Sequence, residues 1–198
     1  MEKPAAAEHP INDVMRRRWS PRAFEPRAMP RADILTLLEA ARWAASSFNQ
    51  QPWHFLVATR DDEERFAQLL DCLVPGNQVW ARNASLLILT VTKRTFDHNN
   101  SPNSCCVHDI GLTACQLVLQ ATELGYATHQ MAGIEADKIR EVYGVPEGYD
   151  PVTGIAVGYP GDPDSLPDDL REMEISERTR RPFDEFVFAD GWGKPADL

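Results

Sequence analysis

Two basic segments contain the residues that most clearly suggest a binding function. One follows a short helical pattern at an irregular turn, and the other lies near the C-terminus. Arginine and a hydroxyl group beside a helix end can hold a phosphate group. The alternative is that the run from Arg16 to Arg18 is only a solvated helix face. The candidate phosphate contacts are Arg18, Ser20, Arg22, Arg178 and Arg180.

A polar loop between a helical pattern and a strand pattern is a second candidate binding element. Its hydroxyl and carboxamide groups suit the polar rim of a flat ligand, and loops held between rigid elements often bind ligands. Neither the loop nor the basic segments contain an evident nucleophile or acid–base pair. This combination is typical of an enzyme whose bound cofactor carries the reaction. The loop residues are Ser46, Ser47, Asn49 and Gln51.

The motifs of several other enzyme classes are absent from the sequence. Gly154, Gly158 and Gly161 come late in the chain and lack the GxGxxG spacing of a dinucleotide-binding fold. The P-loop and GxSxG motifs are missing as well. His108-Asp109 resembles part of a metal site, but no HxxxH or CxxC pair supports it. We therefore expect no bound metal.

The composition is that of an ordinary globular protein. A net charge of −10 argues against a broad nucleic-acid surface, which needs a basic face. No apolar run approaches the roughly 20 residues of a membrane span. The four cysteines form no disulfide framework, and the first ten residues lack a signal-like apolar region, so a cytoplasmic location is expected. The role of Cys105 and Cys106 stays open.

The sequence shows no internal repeat or long linker, which predicts one domain over residues 1–198, with a mobile lead at 1–10 and a C-terminal arm at about 163–198. Residues 75–77 are expected to end a helix. Helices and strands alternate without a strict βαβ rhythm, which favours an α+β fold with a mixed, mainly antiparallel sheet between helical layers. The predicted helices are 11–18, 30–45, 62–73, 109–124 and 135–143, and the predicted strands are 55–59, 86–92, 127–131 and 152–157.

Three segments point to contacts outside the core of one chain. The polar loop at 96–104 is either a lid or a dimer contact. The apolar tail at 183–188 packs either on its own sheet or on another subunit. The helix at 109–124 is apolar beyond one stripe, which predicts packing on two sides. Its residues off the main stripe are Leu112, Cys115 and Leu119.

Three segments resemble the nitroreductase superfamily of FMN enzymes. Residues 18–24, RWSPRAF, are similar to the R-x-S-x-[RK]-x-F segment of that family, and residues 46–53, SSFNQQPW, match its [PS]-S-x-N-x-Q-P-W loop. Residues 178–183, RTRRPF, resemble its late basic pair before a proline. The resemblance implies cofactor contacts at Arg18, Trp19, Ser20, Arg22, Ser46, Ser47, Asn49, Gln51, Asn77, Ala132, Gly133, Arg178 and Arg180.

The resemblance also implies an activity and an assembly. It implies a three-layer homodimer in which the polar loop of one chain lines the FMN held by the other, with the C-terminal arm exchanged. It implies ping-pong hydride transfer from NADH or NADPH to nitroaromatic, quinone or related acceptors, with Arg22 balancing charge at flavin N1 and O2. Trp80 stands where some relatives carry a lysine, and we favour a core role for its ring. Ala132 replaces an acidic residue of better-known relatives, so the acceptor and the preferred donor stay open.

Two alternatives to a nitroreductase-like reductase remain. One is a relative that uses flavin differently, for dehalogenation, for dehydrogenation of a bound product, or for oxygen-dependent breakdown of the flavin. The other, from a different class, is a flavin-binding module or sensor with little turnover. Reduction of the bound flavin by a nicotinamide donor separates the reductase from the module.

Overall fold

The computed structural model describes residues 1–198 and contains one five-stranded sheet. Its strands are β1 (Phe24–Glu25), β2 (Trp53–Thr59), β3 (Leu86–Lys93), β4 (Ala127–Met131) and β5 (Tyr149–Pro160). β5 pairs with β3 along one side and with β4 and β1 along the other, and β2 pairs with the outer side of β3. Every pair is antiparallel, so the sheet has no parallel part.

Helices cover both faces of this sheet. They are α1 (Asp13–Arg17), α2 (Arg31–Arg42), α3 (Glu63–Leu70), α4 (Pro75–Ala81), α5 (Cys106–Glu123), α6 (Ala136–Tyr143) and α7 (Asp168–Ile175). Alternate side chains of β3 enter two separate cores, because successive residues of a strand point to opposite faces. Leu87 and Leu89 pack with α3, α4 and α6, whereas Leu86 and Ile88 pack with α2 and α5. None of these helices has the length and apolarity needed to cross a membrane.

The predicted α+β fold, with a mainly antiparallel sheet between helical layers, is confirmed, but some elements differ from the predictions. Pro75 begins α4 instead of ending a helix, because the first position of a helix tolerates a residue without an N–H. β5 runs from Tyr149 to Pro160 and is longer than the predicted strand. The short β1 and the polar α7 were not predicted, because neither has a strong apolar periodicity.

The N-terminal segment contacts the folded domain, whereas the C-terminal tail after residue 181 is largely exposed. Although the sequence predicts a mobile lead, Lys3 Nζ donates a hydrogen bond to the Glu174 carbonyl at 2.7 Å. In the tail, Phe183–Glu185 forms a single 3-10 turn. The rings of Phe183 and Phe186 pack on each other but stay about half exposed. The tail therefore adds no strand to the sheet of its own chain.

Candidate cofactor site

A cavity of about 220 Å³ lies where the turn after α1 meets the segment after α7. Its walls come from opposite ends of the chain. The structure therefore brings together the two basic segments that the sequence singles out. The cavity is lined by the predicted residues Arg18, Trp19, Ser20, Arg22, Arg178 and Arg180, and also by Lys3, Met173, Glu174, Ser176 and Glu177.

The guanidinium groups at this cavity lack carboxylate partners. Neither Arg22 nor any of the other three arginines takes part in an ion pair. Burial and the charge of Arg180 lower the pKa of Arg18. Burial, Arg18 and Arg180 lower the pKa of Arg178 in the same way. Like charges in a partly buried site repel each other, and a phosphate dianion would relieve that repulsion.

Hydrogen bonds to the main chain fix how these arginines are arranged. Arg178 Nη2 donates to the Arg18 carbonyl at 2.9 Å, and Arg178 Nη1 donates to the Lys3 carbonyl. Arg18 Nη1 donates to Ser20 Oγ at 3.2 Å. Arg178 therefore ties three segments together, whereas Arg18 and Arg180 have more donors left for an anion.

A buried carboxylate holds the main chain of the turn after α1. Glu174, near the end of α7, is only 2% exposed. Its two oxygens accept from Arg22 N at 3.0 and 2.9 Å, and Oε1 also accepts from Ala23 N at 3.1 Å. Consecutive N–H groups that converge on one anion form a nest, and here a side chain of the protein occupies it. No local sequence pattern distinguishes this residue from the other acidic residues, so its role was not predicted.

His129 supports the same turn from β4. Its Nδ1 donates to the Pro21 carbonyl at 3.0 Å, and its ring centroid lies 4.6 Å from that of Trp80. Burial, with the charge of Arg22, lowers the pKa of His129 to about 4, so the imidazole is neutral at pH 7. Trp80 is 1% exposed, which confirms its predicted core role.

The residues expected at the pyrimidine edge of the flavin form a second group. Asn77 Nδ2 donates to the Gly133 carbonyl at 3.0 Å, which joins α4 to the turn after β4. A Cβ atom at Gly133 would lie 2.6 Å from Asn77 Nδ2 and 2.7 Å from Val74 Cγ2, so a larger residue would displace these side chains. Asn77, Ala132 and Gly133 do not line the cavity that contains the arginines.

The polar loop at 46–51 is held in a strained conformation. Three of its residues have left-handed backbone angles, which residues other than glycine rarely adopt. They are Phe48 (φ 53°), Asn49 (φ 54°) and Gln51 (φ 50°). Ser47 N donates to the buried Asp109 at 3.1 Å, and Gln51 N donates to Ser46 Oγ at 3.0 Å. The loop is thus preformed, but none of its residues lines the arginine cavity of the same chain.

The loop after β3 packs beside this polar loop. Gln50 Nε2 donates to Asp97 Oδ2 at 2.9 Å, and Asp97 N donates back to Gln50 Oε1 at 3.0 Å. The Phe48 ring lies 5.7 Å from the Phe96 ring and 5.8 Å from the His98 ring. Phe48 nevertheless stays 83% exposed, so most of its ring has no cover within the chain.

Comparison with known proteins gives the family. Residues 15–159 match the model of the Nitroreductase family. The chain belongs to this family. A solved structure described as an oxidoreductase containing FMN superposes with a TM-score of 0.87 at 37% identity, covering 94% of each chain.

Two curated relatives are more distant. A protein of uncharacterised function from Mycolicibacterium smegmatis is 29% identical over 133 residues, which is 67% of this chain and 88% of that protein. The major NAD(P)H-flavin oxidoreductase of Aliivibrio fischeri is 30% identical over 94 residues, which is 46% of this chain and 43% of that protein. The resemblance stated from the sequence motifs is confirmed at the level of the family.

In this nitroreductase-family chain the predicted site residues fall into three groups. The phosphate contacts share one cavity, Asn77 and Gly133 are joined elsewhere, and the polar loop stands apart from both. Glu174 and His129, which hold the turn between Arg18 and Arg22, were not predicted from the sequence. A histidine within a short extended segment was the only available sign of His129, and nothing marked Glu174.

Proposed function

We propose that this chain is an FMN-dependent oxidoreductase that uses NADH or NADPH to reduce nitroaromatic, quinone or related electrophilic acceptors. The observation that carries the proposal is the cluster of Arg18, Arg178 and Arg180, which lines one cavity without ion-pair partners. The names of two similar proteins, an oxidoreductase containing FMN and an NAD(P)H-flavin oxidoreductase, support the same cofactor and donor.

The residues fit FMN better than FAD. One terminal phosphate with two negative charges suits the crowded guanidinium groups, whereas a dinucleotide would need a glycine-rich cradle for its pyrophosphate. The amide of Asn77, which bonds to the Gly133 carbonyl, and the main chain beside it offer polar groups for the edge of a flat ring. We assign the phosphate to Arg18, Trp19, Ser20, Arg178 and Arg180, and the pyrimidine edge to Asn77, Ala132 and Gly133.

The protein contributes binding, orientation and charge to the reaction. When bound, FMN supplies hydride transfer between the nicotinamide donor and the acceptor in alternating half-reactions. We assign Arg22 to the negative charge at N1 and O2, because it extends the basic turn and has no ion-pair partner; such preorganised charge stabilises a developing anion. The placement of Arg22 depends on main chain that Glu174 and His129 hold.

We also propose a homodimer with shared sites, in which only the tail after residue 181 is exchanged, because the earlier part of the arm from about residue 163 bonds to its own chain through Glu174 and Arg178. The preformed polar loop, with its exposed Phe48, lines no part of the arginine cavity of its own chain. Leu112 and Cys115 of α5 are exposed beside the buried stripe of that helix, which leaves a second face to cover. An obligate interface of this kind buries roughly 2,000 Å² or more. The single-domain boundaries and the cytoplasmic location stay predictions.

Identification of the flavin and anaerobic reduction test the proposed function. Flavin released by heat is expected to chromatograph as FMN. Bound flavin is expected to bleach on mixing with NADH or NADPH and to reoxidise with a nitroaromatic or a quinone. FAD, or no flavin even after reconstitution, contradicts the proposal. Tight FMN binding without reduction favours the flavin-binding module, and reduction without turnover of these acceptors favours the dehalogenase or dehydrogenase type.

A further inference from the structure

We propose that Glu174 is a positioning residue that orients Arg22 and couples the C-terminal arm to the turn that binds FMN. The inference rests on the proposed function, because it requires Arg22 to act on bound flavin. Glu174 acts through the main chain, since its carboxylate accepts from the N–H groups of Arg22 and Ala23. It is therefore distinct from the residues assigned to the ligand itself.

Burial makes this contact a strong constraint on the turn. Glu174 is 2% exposed, and a buried carboxylate is costly unless hydrogen bonds satisfy it. Three contacts between 2.9 and 3.1 Å satisfy it here. Two come from Arg22 N and one comes from the next N–H group, Ala23 N. The turn is thus restricted to conformations in which both N–H groups face the carboxylate. This restriction fixes the direction in which the Arg22 side chain leaves the backbone.

Residues 174–178 also connect the turn after α1 to the arm. Lys3 Nζ donates to the Glu174 carbonyl at 2.7 Å and to the Ser176 carbonyl. Two residues further on, Arg178 Nη2 donates to the Arg18 carbonyl at 2.9 Å. A displacement at the end of α7 therefore moves the turn and the arm together.

Glu174→Gln changes the chemistry of this contact while keeping its volume. A glutamine side chain offers one acceptor oxygen and one donor NH₂ group. If Oε1 keeps its two contacts, the NH₂ group takes the position of Oε2, which accepts from Arg22 N at 2.9 Å. Two donors would then face each other, and the turn must shift. The shift changes where Arg22 points without opening a cavity in the core.

A positioning role and a simple charge effect of Glu174 predict opposite shifts of the midpoint potential of bound FMN. If Glu174 positions Arg22, its loss misplaces the cation that favours reduced flavin, and the midpoint potential of bound FMN becomes more negative. If Glu174 is only a nearby negative charge, its neutralisation favours reduced flavin, and the potential becomes more positive. Glu174→Asp adds a second distinction, because it keeps the charge but withdraws the oxygens from the N–H groups.

The experiment compares the two-electron midpoint potential and the FMN dissociation constant of five proteins with those of the wild type. They are Glu174→Gln, Glu174→Asp, Arg22→Ala, the Glu174→Gln/Arg22→Ala double variant and Asp62→Asn. Asp62 is the matched control, because its carboxylate accepts from Arg65 N at 3.1 Å but does not line the cavity.

We expect both Glu174 variants to lose about tenfold in relative affinity for reduced over oxidised FMN, which corresponds to about 30 mV towards more negative potential. In the Arg22→Ala background, Glu174→Gln should change this ratio less than threefold. Asp62→Asn should leave it unchanged.

An unchanged or more positive potential in Glu174→Gln overturns the positioning role, as does an unchanged potential in Glu174→Asp. Full additivity in the double variant overturns it as well, because Glu174 would then act independently of Arg22. A wild-type protein that binds no FMN overturns the proposed function and this inference with it. That outcome is distinct from a wild type that binds FMN while its Glu174 variants keep the same potential.

Discussion

Replacing Arg18 by methionine should weaken FMN binding without destabilising the protein free of FMN. Methionine keeps much of the apolar stem and removes the guanidinium group. Without a ligand, that group is partly buried, has no ion pair and lies near Arg180, as its lowered pKa indicates. Its removal therefore relieves repulsion in the free protein but eliminates a phosphate contact in the complex. The first effect favours the free protein, and the second weakens the complex with FMN.

The expected magnitude follows from the hydrogen bonds that Arg18 makes in each state. A hydrogen bond to a charged group contributes about 1.5–3 kcal/mol, which corresponds to about a 10- to 150-fold increase in the dissociation constant of FMN. In the free protein, the substitution removes the hydrogen bond that the Arg18 side chain donates to Ser20 Oγ at 3.2 Å. An exposed bond of this kind contributes about 1 kcal/mol or less. The carbonyl that accepts from Arg178 belongs to the main chain and is unaffected.

Arg16→Met is the matched control in a flavin-fluorescence titration and in urea unfolding of the protein free of FMN. The Arg16 side chain is 51% exposed and pairs with Asp13 at 3.0 Å, so its loss should leave FMN affinity unchanged. Equal, small losses of affinity at both positions would indicate a solvated helix face. A parallel loss of affinity and of unfolding free energy in Arg18→Met would indicate a structural role, and either result refutes the reasoning.

Acid should destabilise the FMN-free protein through His129, whose pKa of about 4 in the folded state lies below the unfolded value of about 6.5. The unfolded state binds the proton first, so the unfolding free energy should fall as the pH drops from about 6.5 to 4, by up to about 3 kcal/mol; an equal pH slope in His129→Asn would contradict this. Chains carrying Arg18→Ala and Asn49→Ala, refolded together, should partly regain flavin binding, because one of the two shared sites is then intact. No recovery, or sedimentation as a monomer with full FMN, would contradict the shared site.

The elements with strong apolar periodicity were predictable, whereas α4 was not. β3 and α5 each bury a regular set of side chains, so their sequence patterns reflect the packing directly. In α4, Gly76 and Asn77 favour a turn locally. Burial of Trp80, at 1% exposed, and the hydrogen bond from Gln78 Nε2 to the Leu73 carbonyl at 2.6 Å outweigh that preference. Tertiary contacts of this kind are invisible to a local pattern.

The candidate site shows the same difference between residues that a local pattern identifies and residues that only tertiary contacts place. The shared location of Arg18, Ser20 and Arg178 was predictable, because arginine and serine beside a helix end have an evident chemistry toward phosphate. Their contacts with a ligand stay predictions. Residues that hold the turn were not predictable, since Glu174 and His129 act on main-chain groups more than a hundred positions away. A carboxylate and an imidazole have many possible partners, and only the folded chain selects Arg22 N and the Pro21 carbonyl.

The placement of Glu174 is one reason why a chain with a net charge of −10 keeps an unpaired basic cluster. This carboxylate lines the cavity, yet its oxygens face main-chain N–H groups and neutralise no guanidinium group. The guanidinium groups of the cluster are therefore available to bind an anion from solution. That anion is then a further tie between the turn and the arm, which Arg178 and Lys3 already connect. A ligand that binds only the folded state stabilises it by mass action. FMN should therefore stabilise the contacts that Lys3 and Arg178 make beside the turn more than it stabilises the sheet, whose two cores are already closed.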